Sequence, residues 1–141
     1  MAGPKDKFEK FKIKDYRHWS VYIHENQGYL GRCVVWCKRK DAADLTEAGP
    51  GEREELFRVL KDLGTAVNRV FAADWFNYAF LGNDKRHLHG HFIPRYASPR
   101  KFAGVTFQDD RWGHNYKTDH RFKISAKLLD RIRLEIRAAL V

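Results

Sequence analysis

Cysteine is scarce in this chain. Only Cys33 and Cys37 occur in 141 residues, and their Cys-x-x-x-Cys spacing is neither a zinc nor a redox pattern. Both lie in the apolar run Cys33-Val34-Val35-Trp36-Cys37, so they read as buried thiols of a strand. A disulfide-built fold is excluded, and a reducing, cytosolic setting is expected. Long apolar runs are also missing. None approaches the ~18 residues of a membrane span, and no signal-peptide core follows Met1. There is no internal repeat and no low-complexity linker. Acidic residues are outnumbered: 27 Lys and Arg face 18 Asp and Glu, for a net charge of +9. Residues 95–141 hold 11 of those cations against 5 acids. Such a balance attracts phosphates of any kind, in nucleotide, nucleic acid or membrane, without choosing among them.

What is present suffices for one domain. The composition is 43% hydrophobic and 14% aromatic, enough for a core without staples. Gly3-Pro4 reads as a loose end. Residues 1–17 form a basic arm, which either stays solvated or is anchored by Phe8, Phe11 and Ile13. His18 to Ile23 alternates Trp19, Val21 and Ile23 with polar neighbours, the period of a strand. Arg32 to Lys38 predicts a second strand, paired with the first across the Asn26–Gly31 loop. From Glu52 the spacing of Leu56, Leu60, Leu63, Val67 and Val70 becomes helical, with acids in the first turn to suit the helix dipole. Trp75 to Leu81 is a third strand. Gly82-Asn83-Asp84 is turn chemistry and leads into a fourth strand over 87–93, ended by Pro94. Residues 97–141 form a less regular segment with a short strand near Val105-Thr106-Phe107. Ser125 caps a last helix there, whose stripe is Leu129, Ile132, Ile136 and Leu140.

The fourth strand carries the chemistry. In His87-Leu88-His89-Gly90-His91 three histidines alternate, which sets all three imidazoles on one face of a strand. Neighbours in the row are then roughly 6.5 Å apart at Cα and the outer pair roughly 13 Å. A single zinc needs nitrogens at about 2.0–2.1 Å, and no Cys or carboxylate in the row completes a shell. A polar outer face without a role is a second option. The third is nucleophilic attack on phosphorus. A neutral imidazole is a good nucleophile near pH 7, and a covalent phosphoramidate divides one hard displacement into two easier ones. A second histidine and a nearby arginine would hold the phosphate oxygens.

His87-Leu88-His89-Gly90-His91-Phe92-Ile93 resembles the His-x-His-x-His-x-x motif of the histidine triad (HIT) superfamily of nucleotide hydrolases and transferases. The flanks Asn77 to Asn83 and Ile93 to Tyr96, and the stretch from Tyr29 to Thr46, are similar too. The resemblance implies an α+β domain: a meandering antiparallel sheet of about five strands, a main helix and a C-terminal helix. It makes His89 the nucleophile on the α-phosphate of a purine nucleotide phosphoramidate or dinucleoside polyphosphate. His91 then contacts phosphate and His87 supports the triad. Asn83 is placed on the phosphate side and Asn26 at the ribose. Arg95, which follows the strand, is a candidate phosphate ligand or else forms a surface ion pair. Many relatives carry a further histidine after the second strand, where this chain has Lys40, a point charge for phosphate. Gly90 replaces an apolar residue and reads as close packing against an aromatic or a helix. The resemblance also implies a homodimer. No cofactor is expected, a zinc ion at the histidines being the alternative. Two alternatives stand beside the enzyme: a non-catalytic nucleotide-binding module, and a nucleic-acid-binding protein that processes adenylated ends. His18, His24 and His120 are expected at the surface, and Trp112 and His114 in the irregular segment.

Overall fold

The computed structural model describes residues 7–140, so the Gly3-Pro4 end lies outside the described residues. Seven strands and two α-helices follow in chain order. They are β1 (Lys12–Asp15), β2 (Trp19–Ile23), β3 (Cys33–Cys37), α1 (Pro50–Phe71), β4 (Trp75–Ala79), β5 (His89–Arg95), β6 (Arg100–Phe102), β7 (Val105–Phe107) and α2 (Ala126–Ala139). Single 3-10 turns occupy Glu9–Phe11 and Leu45–Glu47. Five strands form one antiparallel sheet in the order β1-β2-β3-β5-β4, and β6 and β7 form a separate hairpin. This is the expected α+β class.

The first strand comes from the basic arm. Lys12–Asp15 pairs with β2 through a bulge between Lys12 and Lys14, and Ile13 is buried. Alternating lysines thus flank one core residue rather than remaining a solvated tail. Trp19, Val21 and Ile23 of β2 and Cys33, Val35 and Cys37 of β3 turn one face of the sheet inward. Helix α1 covers that face with Leu56, Val59, Leu63, Ala66 and Val67, and α2 packs on α1 and β1.

The helix ends obey local rules. Pro50 opens α1, two residues earlier than the periodicity alone predicts, because proline tolerates the first helical position. Glu52 reaches back to accept the Gly49 N–H at 2.8 Å. The carbonyl of Glu52 accepts from Trp19 Nε1 at 2.8 Å, which ties the helix start to β2. Ser125 Oγ accepts from Leu128 N at 3.0 Å, as the α2 cap requires.

Pro94 does not end its strand. β5 pairs with β3 only as far as Phe92 and continues beside β4 to Arg95. Beyond Phe92 it has a neighbour on one side, where a missing N–H costs no ladder bond. Among the described residues no helix is long and apolar enough to cross a membrane.

Candidate active site

The register of β3 against β5 sets the site. Val34 opposes His91 and Trp36 opposes His89, while Val35 opposes Gly90 and Cys33 opposes Phe92. Gly90 and Phe92 therefore join the core beneath the sheet, and His89 and His91 stand on the face away from α1. Gly90 is dictated by a close approach. A Cβ there would lie 2.3 Å from Phe80 Cε2, so the phenyl ring occupies the space a side chain would need. His87 sits just before β5 rather than within it, so only two of the three imidazoles share a pleat.

The hydrogen bonds assign ring tautomers. His89 Nδ1 lies 2.7 Å from the His87 carbonyl oxygen. A carbonyl can only accept, so Nδ1 carries the hydrogen and the neutral ring keeps its lone pair on Nε2. His87 Nε2 lies 2.6 Å from the Cys37 carbonyl and donates to it by the same logic. Trp36 stacks on both rings, with centroids 4.3 Å from His87 at 13° and 5.4 Å from His89 at 28°. His91 Nδ1 faces a donor instead, Arg32 Nη2 at 3.4 Å, and accepts from it, which places the His91 hydrogen on Nε2.

A fourth imidazole completes the cluster. His24, at the end of β2, has its ring centroid 5.7 Å from that of His91. Its Nδ1 accepts from Asn26 N at 2.9 Å. Burial, then the Arg32 charge, lowers His24 to about 3 and His91 to about 4, so both rings are neutral at pH 7. The expectation of a surface His24 is thereby corrected: the loop between β2 and β3 folds its ring inward.

These rings border a cavity of about 590 Å³ on the open face of the sheet. His24, His89, His91 and Trp36 line it together with Lys38 and Lys85, and Phe8 and Phe11 wall it from the N-terminal side. Lys38 Nζ donates to the Tyr16 carbonyl at 2.5 Å, whereas Lys85 comes from the β4–β5 loop. The lining thus offers imidazole N–H donors, one imidazole lone pair, the ammonium groups of Lys12, Lys38 and Lys85, and the carboxylates of Asp15 and Glu25. Lys12 is paired with Asp15 at 3.0 Å, and the imidazole donors with Lys38 and Lys85 suit an anionic ligand. Among the described residues no three His, Cys, Asp or Glu side chains are placed to hold a metal ion.

Four residues expected at the site do not reach this cavity. Lys40 is exposed in the turn after β3, and Lys38, two positions earlier, lines the cavity instead. Asn83 is exposed in the β4–β5 loop, and Lys85 takes the cavity position there. Asn26 supports His24 through its backbone N–H. Its side chain is spent on the Asp119 carbonyl and Gly28 N, both at 2.8 Å. Arg95 is buried, and all five of its N–H donors are used. They bond Asp109 twice, Asn77 Oδ1, and the carbonyls of His114 and Arg111. Arg95 therefore clasps the C-terminal segment to the sheet and is not free to grip phosphate. Trp112 and His114 are exposed in that segment. The residues that sequence reasoning missed, His24, Arg32, Trp36, Lys38 and Lys85, had a signal in part. Ser20-Tyr22-His24 and Arg32-Val34-Trp36 each continue the two-residue period of the site face.

The HIT domain family model matches residues 10–98. A hypothetical histidine triad nucleotide-binding protein from Sulfolobus tokodaii superposes with a TM-score of 0.71 at 18% identity, over 92% of this chain and 83% of its own. A histidine triad protein from Bradyrhizobium japonicum gives 0.72 at 18% identity, over 96% and 95%. The NitFhit protein of C. elegans gives 0.67 at 18% identity, over 92% of this chain and 27% of that longer one. At this identity the structures share the fold. No curated protein matches the sequence.

Proposed function

Because the chain belongs to the HIT domain family, we propose that it is a nucleotide hydrolase or nucleotidyl transferase. It acts on the α-phosphate of a purine nucleotide phosphoramidate or dinucleoside polyphosphate, with His89 as nucleophile. One observation carries the reading. The His87 carbonyl holds Nδ1–H of His89 at 2.7 Å, which leaves the Nε2 lone pair on a ring that borders the cavity.

In the first step that lone pair attacks the α-phosphorus and forms an N–P bond. The bond from phosphorus to the leaving group breaks, and its electron pair departs with that group, which takes a proton from water where it needs one. The imidazole now bears positive charge and retains Nδ1–H. The His87 carbonyl stabilises it from one side, and the indole face of Trp36 adds a cation–π contribution. His91 Nε2–H donates to a non-bridging oxygen, and Lys38 and Lys85 face the phosphates of the leaving group. In the second step a water oxygen, or an acceptor hydroxyl in the transferase case, attacks phosphorus. The P–N electron pair returns to Nε2 and the attacking group releases its proton. No metal enters either step.

A homodimer is the proposed assembly. β4 is a sheet edge with Trp75 and Tyr78 exposed, a surface that favours pairing. The cytosol is the proposed compartment.

The test is His89→Ala with a panel of adenosine and guanosine phosphoramidates and dinucleoside polyphosphates. Turnover should fall below about one-thousandth of wild type, while mononucleotide affinity changes little. Rapid quenching of the wild type should trap an acid-labile nucleotide on His89. Wild-type turnover in the variant refutes the role of His89. Tight nucleotide binding with no turnover of any substrate would make the protein a binding module.

A further inference from the structure

Arg32 is a buried cation without a carboxylate. It heads β3 at 4% exposure, and among the described residues no Asp or Glu lies within ion-pair distance of it. Nη1 donates to Thr118 Oγ1 at 2.8 Å, and Nη2 to His91 Nδ1 at 3.4 Å. The guanidinium lies 5.3 Å over the Tyr116 ring. Nε is buried and has no hydrogen-bond partner among the described residues. Its backbone carbonyl also accepts from His24 N at 3.0 Å. Burying a charge this way is costly unless a compensating group meets it. Here the group set between the guanidinium and the cavity is the His91 ring, so the charge sits behind a catalytic side chain.

We propose that Arg32 is a positioning residue for the reaction: donation from Nη2 to His91 Nδ1 fixes the tautomer that carries its hydrogen on Nε2, and the guanidinium supplies a buried positive charge behind that ring for the substrate's α-phosphate. This rests on the proposed reaction at His89. The geometry gives the mechanism. An imidazolium would turn an N–H at Nδ1 toward the N–H of Nη2, donor against donor. Protonation of His91 therefore costs the Arg32 contact as well as Coulomb repulsion. The other groups around His91 add no compensating anion within the cluster. His24 from β2 and His89 on its own strand are imidazoles, Val34 and Ala79 oppose it from β3 and β4, and Lys85 borders the same cavity. Lys12 and Lys38 and two exposed carboxylates, Asp15 and Glu25, also line the cavity, and Asp15 is held by Lys12 at 3.0 Å and Ser20 Oγ at 2.5 Å. The site thus keeps His91 as a neutral donor, and the positive field that draws the phosphate comes from a residue that cannot deprotonate.

The test is nitrogen-15 NMR of the imidazoles in the free protein, for wild type, Arg32→Met and Arg32→Lys, followed by kinetics. In the wild type His91 should show hydrogen on Nε2 and titrate near about 4. In Arg32→Met its titration should rise by about one unit or more, as loss of a near like charge requires, and the Nε2–H pattern should give way to a mixture. Arg32→Lys should keep the low titration. The kcat/KM of Arg32→Met should drop about tenfold or more, and the acid limb of its pH profile should move to higher pH. A wild-type His91 with hydrogen on Nδ1, or an unmoved titration in Arg32→Met, overturns the proposal. If Arg32→Met does not fold, the wild-type and Arg32→Lys spectra decide. The spectra need no turnover, so they judge Arg32 even where the His89→Ala experiment removes the proposed reaction.

Discussion

Gly90→Ala is a one-carbon change whose cost follows from the packing beneath the histidines. The added Cβ would meet Phe80 at 2.3, 2.4 and 2.8 Å, from Cε2, Cζ and Cδ2. Carbon pairs rest at about 3.5–4.0 Å, so the ring or the strand must give by more than about 1 Å. Overpacking of this kind costs about 1–3 kcal/mol. Against it stands the gain from replacing glycine in a strand, roughly 0.5–1 kcal/mol by reduced chain entropy. The net expectation is a loss of about 1–2 kcal/mol, read as a lower urea midpoint with an unchanged slope. The cycle with Phe80→Ala isolates the cause. In that background Gly90→Ala should be neutral or mildly stabilising, for a coupling of at least about 1 kcal/mol. An equal loss in both backgrounds would refute the reasoning, because the clash would then lie elsewhere. Activity separates the two ways of yielding. If the phenyl ring moves, kcat is preserved. If β5 moves, His89 and His91 shift with it and kcat falls with stability.

Two further perturbations probe the frame around the site. Arg95→Met leaves the Asp109 carboxylate buried without its counter-charge, held only by the Tyr96 and Arg111 N–H groups, and should cost about 3–5 kcal/mol in urea unfolding. Arg95→Met with Asp109→Leu should cost less than Arg95→Met by itself, and a greater cost would show that the clasp does not work as a charge pair. Stability should also decline as pH drops from about 6.5 toward 4. Over that range the unfolded chain protonates His24 and His91 while the native rings, held down to about 3 and about 4, stay neutral. The contribution is present in full above pH 6.5, and His24→Phe should flatten the slope of the urea midpoint against pH. An unchanged slope would show that His24 is not desolvated as described.

The parts of the molecule legible in the sequence are those in which one segment carries its own pattern. β2, β3, β4 and α1 follow from alternation or helical spacing, and Ser125 marked the start of α2 by a bond only three residues long. β1 was hidden because Lys12 and Lys14 flank Ile13, so a strand with one core residue looked like a charged tail. Pro94 misled because a proline stops a strand only where a neighbour needs its N–H, and the strand order that removes that neighbour is a tertiary fact. Arg95 misled for the same reason. Its partners Asp109, Arg111 and His114 lie 14 to 19 residues further on, in a segment with no periodicity to locate them.

The site follows the same division. The alternation of His87, His89 and His91 located the face of the candidate site, but not what else that face would hold. Side chains on a sheet are neighbours across strands as much as along them. Trp36 meets His89, and Arg32 meets His91, through the β3–β5 register, which no single segment encodes. The alternation even overstated the row, since His87 leaves the pleat and bonds Cys37 instead. That departure gives the row its asymmetry. With His87 out of line, its carbonyl is free to hold His89 Nδ1, while His91 Nδ1 is held from the opposite sense by a donor. Two adjacent histidines in one strand thus carry opposite tautomers, one presenting a lone pair and the other an N–H. A nucleophile beside a phosphate-oxygen donor needs that pairing, and it is set by what each Nδ1 touches, not by the spacing of the motif.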